Sequence, residues 1–239
     1  MADPDIVIVG AGSAGCVLAA RLAEDPARRV LLLEAGGWDR DPWIHIPLAW
    51  GKILTNRLHD WMYFTEPEPR MAGRRIECAR GKVIGGSSSI NGMFFMRGHS
   101  LDFETWRQMG CEGWGYADVL PYFRKLESDA DFSGPLHGNE GPLPIQRMKR
   151  EDWCGFSEGV ARAAEQAGLR YLADQNGAWE DGWFAATMNN QPTHRVSAAM
   201  AYLDAKTRAR PNLRIVARAH VQQLLLEGRR AVGVRVPLD

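Results

Sequence analysis

The residues best suited to chemistry lie in two glycine-rich stretches. The first is Gly10-Ala11-Gly12-Ser13-Ala14-Gly15, the spacing G-x-G-x-x-G, set between an apolar run and an Ala/Leu-rich stretch. At that spacing the first glycine permits a tight turn off a strand, the second lets the backbone approach a diphosphate, and the third lets a helix pack closely on the sheet. Ser13 and Ala14 would then offer first-turn amides to an anion favoured by the helix dipole. Glu34, followed by Ala35, closes the next apolar run, where an acid binds ribose hydroxyls. An acid there, in place of Arg, argues against a 2′-phosphate and hence against NADP. This motif alone leaves NAD and FAD open. The second stretch contains Gly85-Gly86-Ser87-Ser88-Ser89-Ile90-Asn91-Gly92. It buries little apolar area, but it carries backbone N–H groups and small hydroxyls that suit an anion or a flat polar ring.

Local pattern places these stretches on elements. Residues 5–10, rich in Ile and Val, and 29–34, Arg-Val-Leu-Leu-Leu-Glu, read as buried parallel strands flanking a helix over 13–24. That order is a βαβ unit. Residues 35–80 carry Pro42, Pro47, Pro67 and Pro69 and read as irregular coil with one or two short helices. The run Met93-Phe94-Phe95-Met96 suggests a helix starting inside the protein. Helices are expected over 102–109, 116–126, 153–167 (ended by Gly168) and 197–203 (capped by Ser197). Strands are expected over 213–216, 220–226 and 231–236, the last two joined at Glu227-Gly228 as a hairpin. A chain that stops directly after a strand is expected to be a fragment, because a strand edge is rarely left bare.

Composition narrows the function classes. The 239 residues are 45% hydrophobic, enough for a packed core. Lys plus Arg equals Asp plus Glu at 29 each, so no basic surface suggests nucleic acid as a partner. No membrane span or signal peptide is expected. Four scattered cysteines without a CxxC pair suggest neither zinc nor disulfides, and a reducing cytoplasm is the expected compartment. Cys16 reads as a small core residue. Of the nine tryptophans, Trp43, Trp50 and Trp61 could wall a substrate tunnel or simply pack a loop-rich region. Arg80, Lys82 and Arg97 could balance ligand charge or lie on a solvated surface. None of the six histidines has an evident tuned partner, and each reads as surface or structural.

The second stretch, 81–104, resembles the first signature of the glucose–methanol–choline (GMC) oxidoreductase family, with Gly85-Gly86-Ser87-Ser88, Asn91 and Gly98 in place. The resemblance runs through Asp60-Trp61, Thr65-Glu66-Pro67, Gly113-Trp114, Leu136-His137-Gly138, Arg195 with Ser197-Ala198-Ala199, and Arg210-Pro211-Asn212-Leu213. These segments are similar to bacterial aryl-alcohol and hydroxymethylfurfural oxidases, pyridoxine oxidase and choline-dehydrogenase-like members. The resemblance implies an α/β fold: a Rossmann-like FAD-binding domain with part of an α+β substrate domain, incomplete. The expected domains are 1–134 with 195–239 for FAD and 135–194 for substrate. It implies FAD as cofactor, contacted by Gly10, Gly12, Ser13, Ala14, Gly15, Glu34, Ala35, Trp61, Arg80, Val83, Gly85, Gly86, Ser87, Asn91, Gly92, Met93 and Val221. Some relatives attach FAD through a histidine where this chain has Ile90, so non-covalent FAD is expected. The family's catalytic His with His or Asn lies beyond this chain, and no catalytic residue is assigned within it. The implied reaction is oxidation of a primary alcohol to an aldehyde, with a second polypeptide or a C-terminal part completing the fold. A lyase on the same fold, an NAD-dependent dehydrogenase using the first motif alone, and a non-catalytic nucleotide-binding module stay open.

Overall fold

The computed structural model describes residues 3–177 and 179–237. In chain order the strands and helices are β1 (Ile6–Val9), α1 (Ser13–Leu22), β2 (Val30–Leu33), α2 (Pro42–His45), α3 (Trp50–Thr55), α4 (Ser100–Gln108), α5 (Tyr116–Leu126), β3 (Glu127–Asp129) and β4 (Leu143–Arg147). They continue with α6 (Gly155–Gln166), β5 (Thr187–Met188), α7 (Ala198–Tyr202), α8 (Ala205–Arg208), β6 (Leu213–Val216), β7 (Gln223–Glu227) and β8 (Arg230–Arg235). The chain forms two compact units, Met1–Gly92 with Thr193–Asp239, and Met93–Pro192.

The first unit is built on a parallel sheet in the order β1-β2-β6. Ile6 pairs with Val30 and Val9 with Leu33, while Val30 also pairs with Leu213 and Leu33 with Val216. Strands that are apolar at successive positions suit a sheet covered on its faces. One covering element is α1, whose Cys16, Ala19 and Ala20 join Ile8, Val30, Leu32, Ile84, Ala199 and Leu213 in one core. The small side chains of α1 bring it close to the sheet. At Gly15 the approach is closest: a Cβ there would stand under 2 Å from the Gly10 carbonyl oxygen. A second core of Ile44, Ile53, Val83 and Ile90 packs the short helices α2 and α3 beneath the second glycine stretch. The antiparallel hairpin β7–β8 belongs to this unit and forms a separate two-stranded sheet.

The second unit has a small mixed sheet, β3 parallel to β4 and β4 antiparallel to β5. Residues 93–134 group with 135–192 in this compact unit. The cause is a buried ionic network whose members are far apart in sequence. Arg97 donates to Glu127 at 2.5 Å, and both side chains are wholly buried. His137 meets Glu127 and Asp129 at 3.2 Å each and Asp174 at 2.8 Å. Arg147 reaches Asp129 at 2.8 Å and Asp174 at 3.1 Å. Separating 93–134 from 135–192 would strand these charges in a dry interior, which costs several kcal/mol per broken pair, roughly 3–5. Burial alone would lower the His137 pKa, but its bonds to Asp129, Asp174 and Glu127 outweigh burial and raise it to about 11. His137 is therefore a cation here, and with two guanidiniums already present the Glu127, Asp129 and His137 cluster is a self-compensated ion network.

Arg97 lies in this network, so it is neither a ligand-facing cation nor a solvated one. The helix expected from Met93-Phe94-Phe95-Met96 is extended chain instead. Phe94 bridges Met188, and the Phe95 N–H donates to the Thr187 carbonyl at 2.9 Å. Exposure alternates along this run, with Met93 and Arg97 buried, Phe95 half-buried and Phe94 and Met96 exposed, the period of two of extended chain. The fixed points at Thr187 and Glu127 override the run's helix-like composition.

Candidate functional site

A cavity of about 430 Å³ opens in the first unit at the carboxyl ends of β1 and β2. Val9 and Leu33 close its base, Gly10, Gly12 and Ser13 form one side, and Gly86 and Ser87 form another. Glu34, Ala35, Trp61, Arg80, Gly81 and Ala219, His220 and Val221 complete it. This is where an open α/β sheet binds ligands, beyond its strand ends.

The first glycine stretch is shaped by its backbone bonds. The Gly10 N–H donates to the Leu33 carbonyl at 2.7 Å, and the Ala11 N–H to the Glu34 carboxylate at 2.8 Å. α1 then begins with Gly12 as its N-cap, no side chain capping it and no acidic residue in its first turn. The first-turn amides of a helix of this length, uncapped and facing a cavity, favour an anion through their N–H groups and the macrodipole. A Cβ added at Gly12 would meet nothing within 4 Å, so its missing side chain serves whatever enters the cavity.

The second stretch meets the first directly. Gly86 has φ +56°, and a Cβ on it would come 2.6 Å from Gly12 Cα. The Gly85 N–H donates to the Ala11 carbonyl at 2.7 Å. The two glycine stretches therefore adjoin at Gly12 and Gly86 and frame one cavity. The serine hydroxyls have mostly internal tasks. Ser88 Oγ donates to the Gly85 carbonyl at 2.6 Å and accepts the Ala198 N–H at 2.9 Å. Ser89 Oγ donates to the Ile84 carbonyl at 2.9 Å. Only Ser87, accepting the Gly81 N–H at 3.1 Å, also borders the cavity.

Glu34 is almost wholly buried, and its two oxygens accept the Ala11 and Gly36 N–H groups, both at 2.8 Å. A carboxylate has about four lone-pair sites, so ribose hydroxyls can still be accepted alongside these amides. Trp61 stands opposite, stacked on Tyr63 at 5.7 Å, edge-on to His220 at 5.3 Å, with Lys82 Nζ 4.7 Å from its ring centre. Asp60 fixes this wall. Its Oδ1 accepts the Met62 N–H at 3.0 Å and the Arg80 N–H at 3.1 Å, and Oδ2 accepts Arg57 Nε at 3.2 Å. Burial pushes its pKa up, but these donors outweigh burial and hold it below the usual carboxylate range.

Of the residues expected to touch a cofactor, Gly10, Gly12, Ser13, Glu34, Ala35, Trp61, Arg80, Gly86, Ser87 and Val221 border the cavity. Ala14 is exposed on the first helical turn, and Gly15 and Gly85 are buried beneath the loops without bordering it. Val83 is wholly buried with Ile44, Ile53 and Ile90, so its side chain faces core. Asn91 is exposed, with its Oδ1 accepting Arg195 Nη1 at 2.7 Å, and Gly92 is half-buried. Met93 is buried as the first residue of the second unit. Trp43 carries Lys52 Nζ 3.5 Å from its ring centre and does not border the cavity, nor does Trp50. His220, read as structural or surface, is a wall of the site; its place next to Val221 was the available signal. The other histidines are engaged elsewhere: His45 with the Asp39 carbonyl, His59 with Asp41, His99 as the N-cap of α4, and His194 beside Thr193.

Comparisons with known proteins give the chain's relatives. The family model described as GMC oxidoreductase matches residues 4–238. An oxygen-dependent choline dehydrogenase of Sinorhizobium medicae is 43% identical over 234 residues, covering 97% of this chain and 42% of that protein. The crystal structure of pyridoxine 4-oxidase from Mesorbium loti superposes with a TM-score of 0.89 at 39% identity, over 98% of this chain and 46% of that one. An FAD-dependent oxidoreductase from Chaetomium thermophilum gives a TM-score of 0.89 at 28% identity, over 98% and 42% of the respective chains. The chain thus spans under half the length of these relatives.

Proposed function

The chain belongs to the GMC oxidoreductase family, and from that premise we propose that it is the FAD-binding part of a flavoenzyme that oxidises a primary alcohol to an aldehyde. The observation that carries this reading is the junction of Gly12 and Gly86 at the uncapped start of α1, a cradle with open space above Gly12 for a diphosphate and no room for a Cβ at Gly86. Gly10, Gly12 and Ser13 would hold the diphosphate, with Gly86 and Ser87 on its other flank. Glu34 would take the ribose hydroxyls, and Trp61 and Val221 would wall the adenosine end. Asn91, Gly92 and Met93 are assigned to the flavin end. Ile90 is a buried hydrocarbon in the core, and FAD is proposed to be held without a covalent bond. Bound flavin supplies the hydride acceptor, at N5 of its ring. The cradle residues would bind and orient, and the groups that move the alcohol proton are proposed to belong to the remaining part of the enzyme.

The partner proposed is the remaining part of the enzyme, as a C-terminal portion or a second polypeptide. Three surfaces support it. Among the described residues, β1 pairs on one side alone. The β7–β8 hairpin exposes Leu224, Leu226 and Val232, and a two-stranded ribbon is marginal without a covering layer. In the second unit, Met148, Trp153, Phe156, Val160, Trp183 and Met188 line an apolar groove of about 410 Å³. No helix among the described residues is long and apolar enough to cross a membrane. The cysteines are unpaired, which supports a reducing, cytoplasmic setting.

The test is to incubate the chain with FAD, alone and with the remaining part supplied, and then add primary alcohols anaerobically. A yellow complex that bleaches only when both parts are present supports the proposal. A colourless protein refutes the cofactor, and a yellow one that no alcohol bleaches refutes the reaction.

A further inference from the structure

Arg195 is a wholly buried arginine of the first unit. Its Nε donates to the Ile44 carbonyl at 2.9 Å, and its Nη1 to the Ser88 carbonyl at 3.2 Å and to Asn91 Oδ1 at 2.7 Å. Its Nη2 is buried with no hydrogen-bond partner. The two other buried guanidiniums, Arg97 and Arg147, each face a carboxylate at hydrogen-bond distance. Arg195 has only neutral acceptors, and it takes part in no ion pair among the described residues. Burial alone pushes its pKa down to about 10, so the side chain remains charged at neutral pH. An uncompensated buried cation is expensive to keep, and such groups persist where a charge elsewhere offsets them.

Its position shows where that offset would come from. Arg195 holds residues 88 and 91 of the second glycine stretch from behind, and the neighbouring Ala198 N–H holds Ser88 Oγ at 2.9 Å. Because Asn91 Oδ1 accepts from Arg195, the amide end of Asn91 is fixed as well. Accepting a hydride adds one negative charge to a flavin ring until a proton follows, and charge near the ring tunes its electronics.

Resting on the FAD reading above, we propose that Arg195 is a positioning residue for the flavin: it orients Asn91 and places an unbalanced positive charge behind the flavin-facing loop, which stabilises the ring when it becomes anionic. The chemical class of ligand that balances Arg195 is therefore a redox ring that gains negative charge on reduction.

Two measurements test this. The first needs no cofactor. Asn91→Asp puts a carboxylate at the 2.7 Å contact, so the ligand-free chain is expected to melt higher, by about 4 °C or more. An unchanged or lower melting temperature means that the cation is already balanced, and overturns the proposal. The second uses the FAD-loaded protein and sulfite, which adds to flavin N5 and leaves negative charge on the ring. Arg195→Met is expected to weaken sulfite binding about tenfold or more, and Arg195→Lys to stay within about threefold of the unaltered protein, as for loss and retention of one nearby charge. If Met and Lys shift sulfite affinity alike, or neither does, Arg195 is a backbone clasp alone and the proposal fails while the FAD reading stands. If Arg195→Met does not fold, FAD-loaded Asn91→Asp decides the same point, because it neutralises the charge with the arginine in place. If the unaltered protein takes up no FAD, the cofactor reading itself fails and this inference with it.

Discussion

Replacing Gly12 and Gly86 separately by alanine should injure the protein in two different ways. At Gly86 the backbone is left-handed, φ +56°, which costs a residue with a Cβ about 1–2 kcal/mol. The new Cβ would also sit 2.6 Å from Gly12 Cα, roughly 1 Å inside an ordinary carbon–carbon contact. Both partners are backbone, so no side chain can rotate away, and overpacking of this kind costs about 1–3 kcal/mol. Gly86→Ala should therefore lose roughly 2–5 kcal/mol in total, and its melting temperature should fall by roughly 5–15 °C. Gly12 has φ −77° and nothing within 4 Å of an added Cβ. Gly12→Ala should fold within about 1 kcal/mol of the parent, since the entropy lost by the unfolded chain offsets a poorer cap. Its added methyl would occupy the diphosphate's approach, so FAD affinity should drop about tenfold to a hundredfold, equivalent to about 1.4–2.8 kcal/mol. Thermal melts and titration of FAD fluorescence on both variants separate the two effects. If Gly12→Ala melts as low as Gly86→Ala, or binds FAD like the parent, the assignment of the cradle is wrong.

The ionic network of the second unit should make the protein sensitive to alkali. The His137 pKa is raised from 6.5 to about 11, so its stabilisation is complete below about pH 6.5 and is lost progressively as pH rises towards 11. Melting temperatures between pH 7 and 10.5 should fall in the parent and fall less steeply in His137→Gln; equal slopes would contradict this. Asp60→Ala removes the acceptor of three hydrogen bonds and should cost about 2–3 kcal/mol by urea unfolding, with loss of FAD affinity because Trp61 and Arg80 are released. The Asp60 pKa is depressed, so its contribution is present above about pH 4 and fades as pH falls, and a parent and variant equally stable at pH 7 would refute the role. Burial pushes the Cys16 thiol up to about 12, whereas Cys111 and Cys154 are exposed. A thiol reagent on the native protein should modify those two and spare Cys16 until the chain unfolds.

Much of the first unit was legible because its signals are local. The runs at 6–9 and 30–33 and the glycines between them specify strand, turn and helix within 30 residues of chain, and Tyr116–Leu126 has its expected bounds. Residues 213–216 read correctly as a strand, but their pairing beside Val30–Leu33 depends on contacts about 180 positions away. The failures have the same origin. Met93-Phe94-Phe95-Met96 composes like a helix start, yet Thr187 and Met188 draw it into extended pairing. That residues 93–134 pack with 135–192 was equally illegible, because Glu127 binds Arg97 and His137 at once. Within the site, the spacing revealed Gly10, Gly12 and Glu34, whereas Val83 belongs to the core and the hydroxyls of Ser88 and Ser89 serve the loop itself. His220 borders the cavity just after Arg218, a non-glycine residue with φ +58°, and no residue type announces that turn.

Both glycine stretches are proposed to grip one molecule. Hydrogen exchange of the backbone amides at Gly12–Gly15 and at Gly86–Ser89, compared with and without FAD, tests it directly. Both segments should slow together, with the same FAD concentration dependence. Protection confined to the first segment, or absent from both, would contradict it.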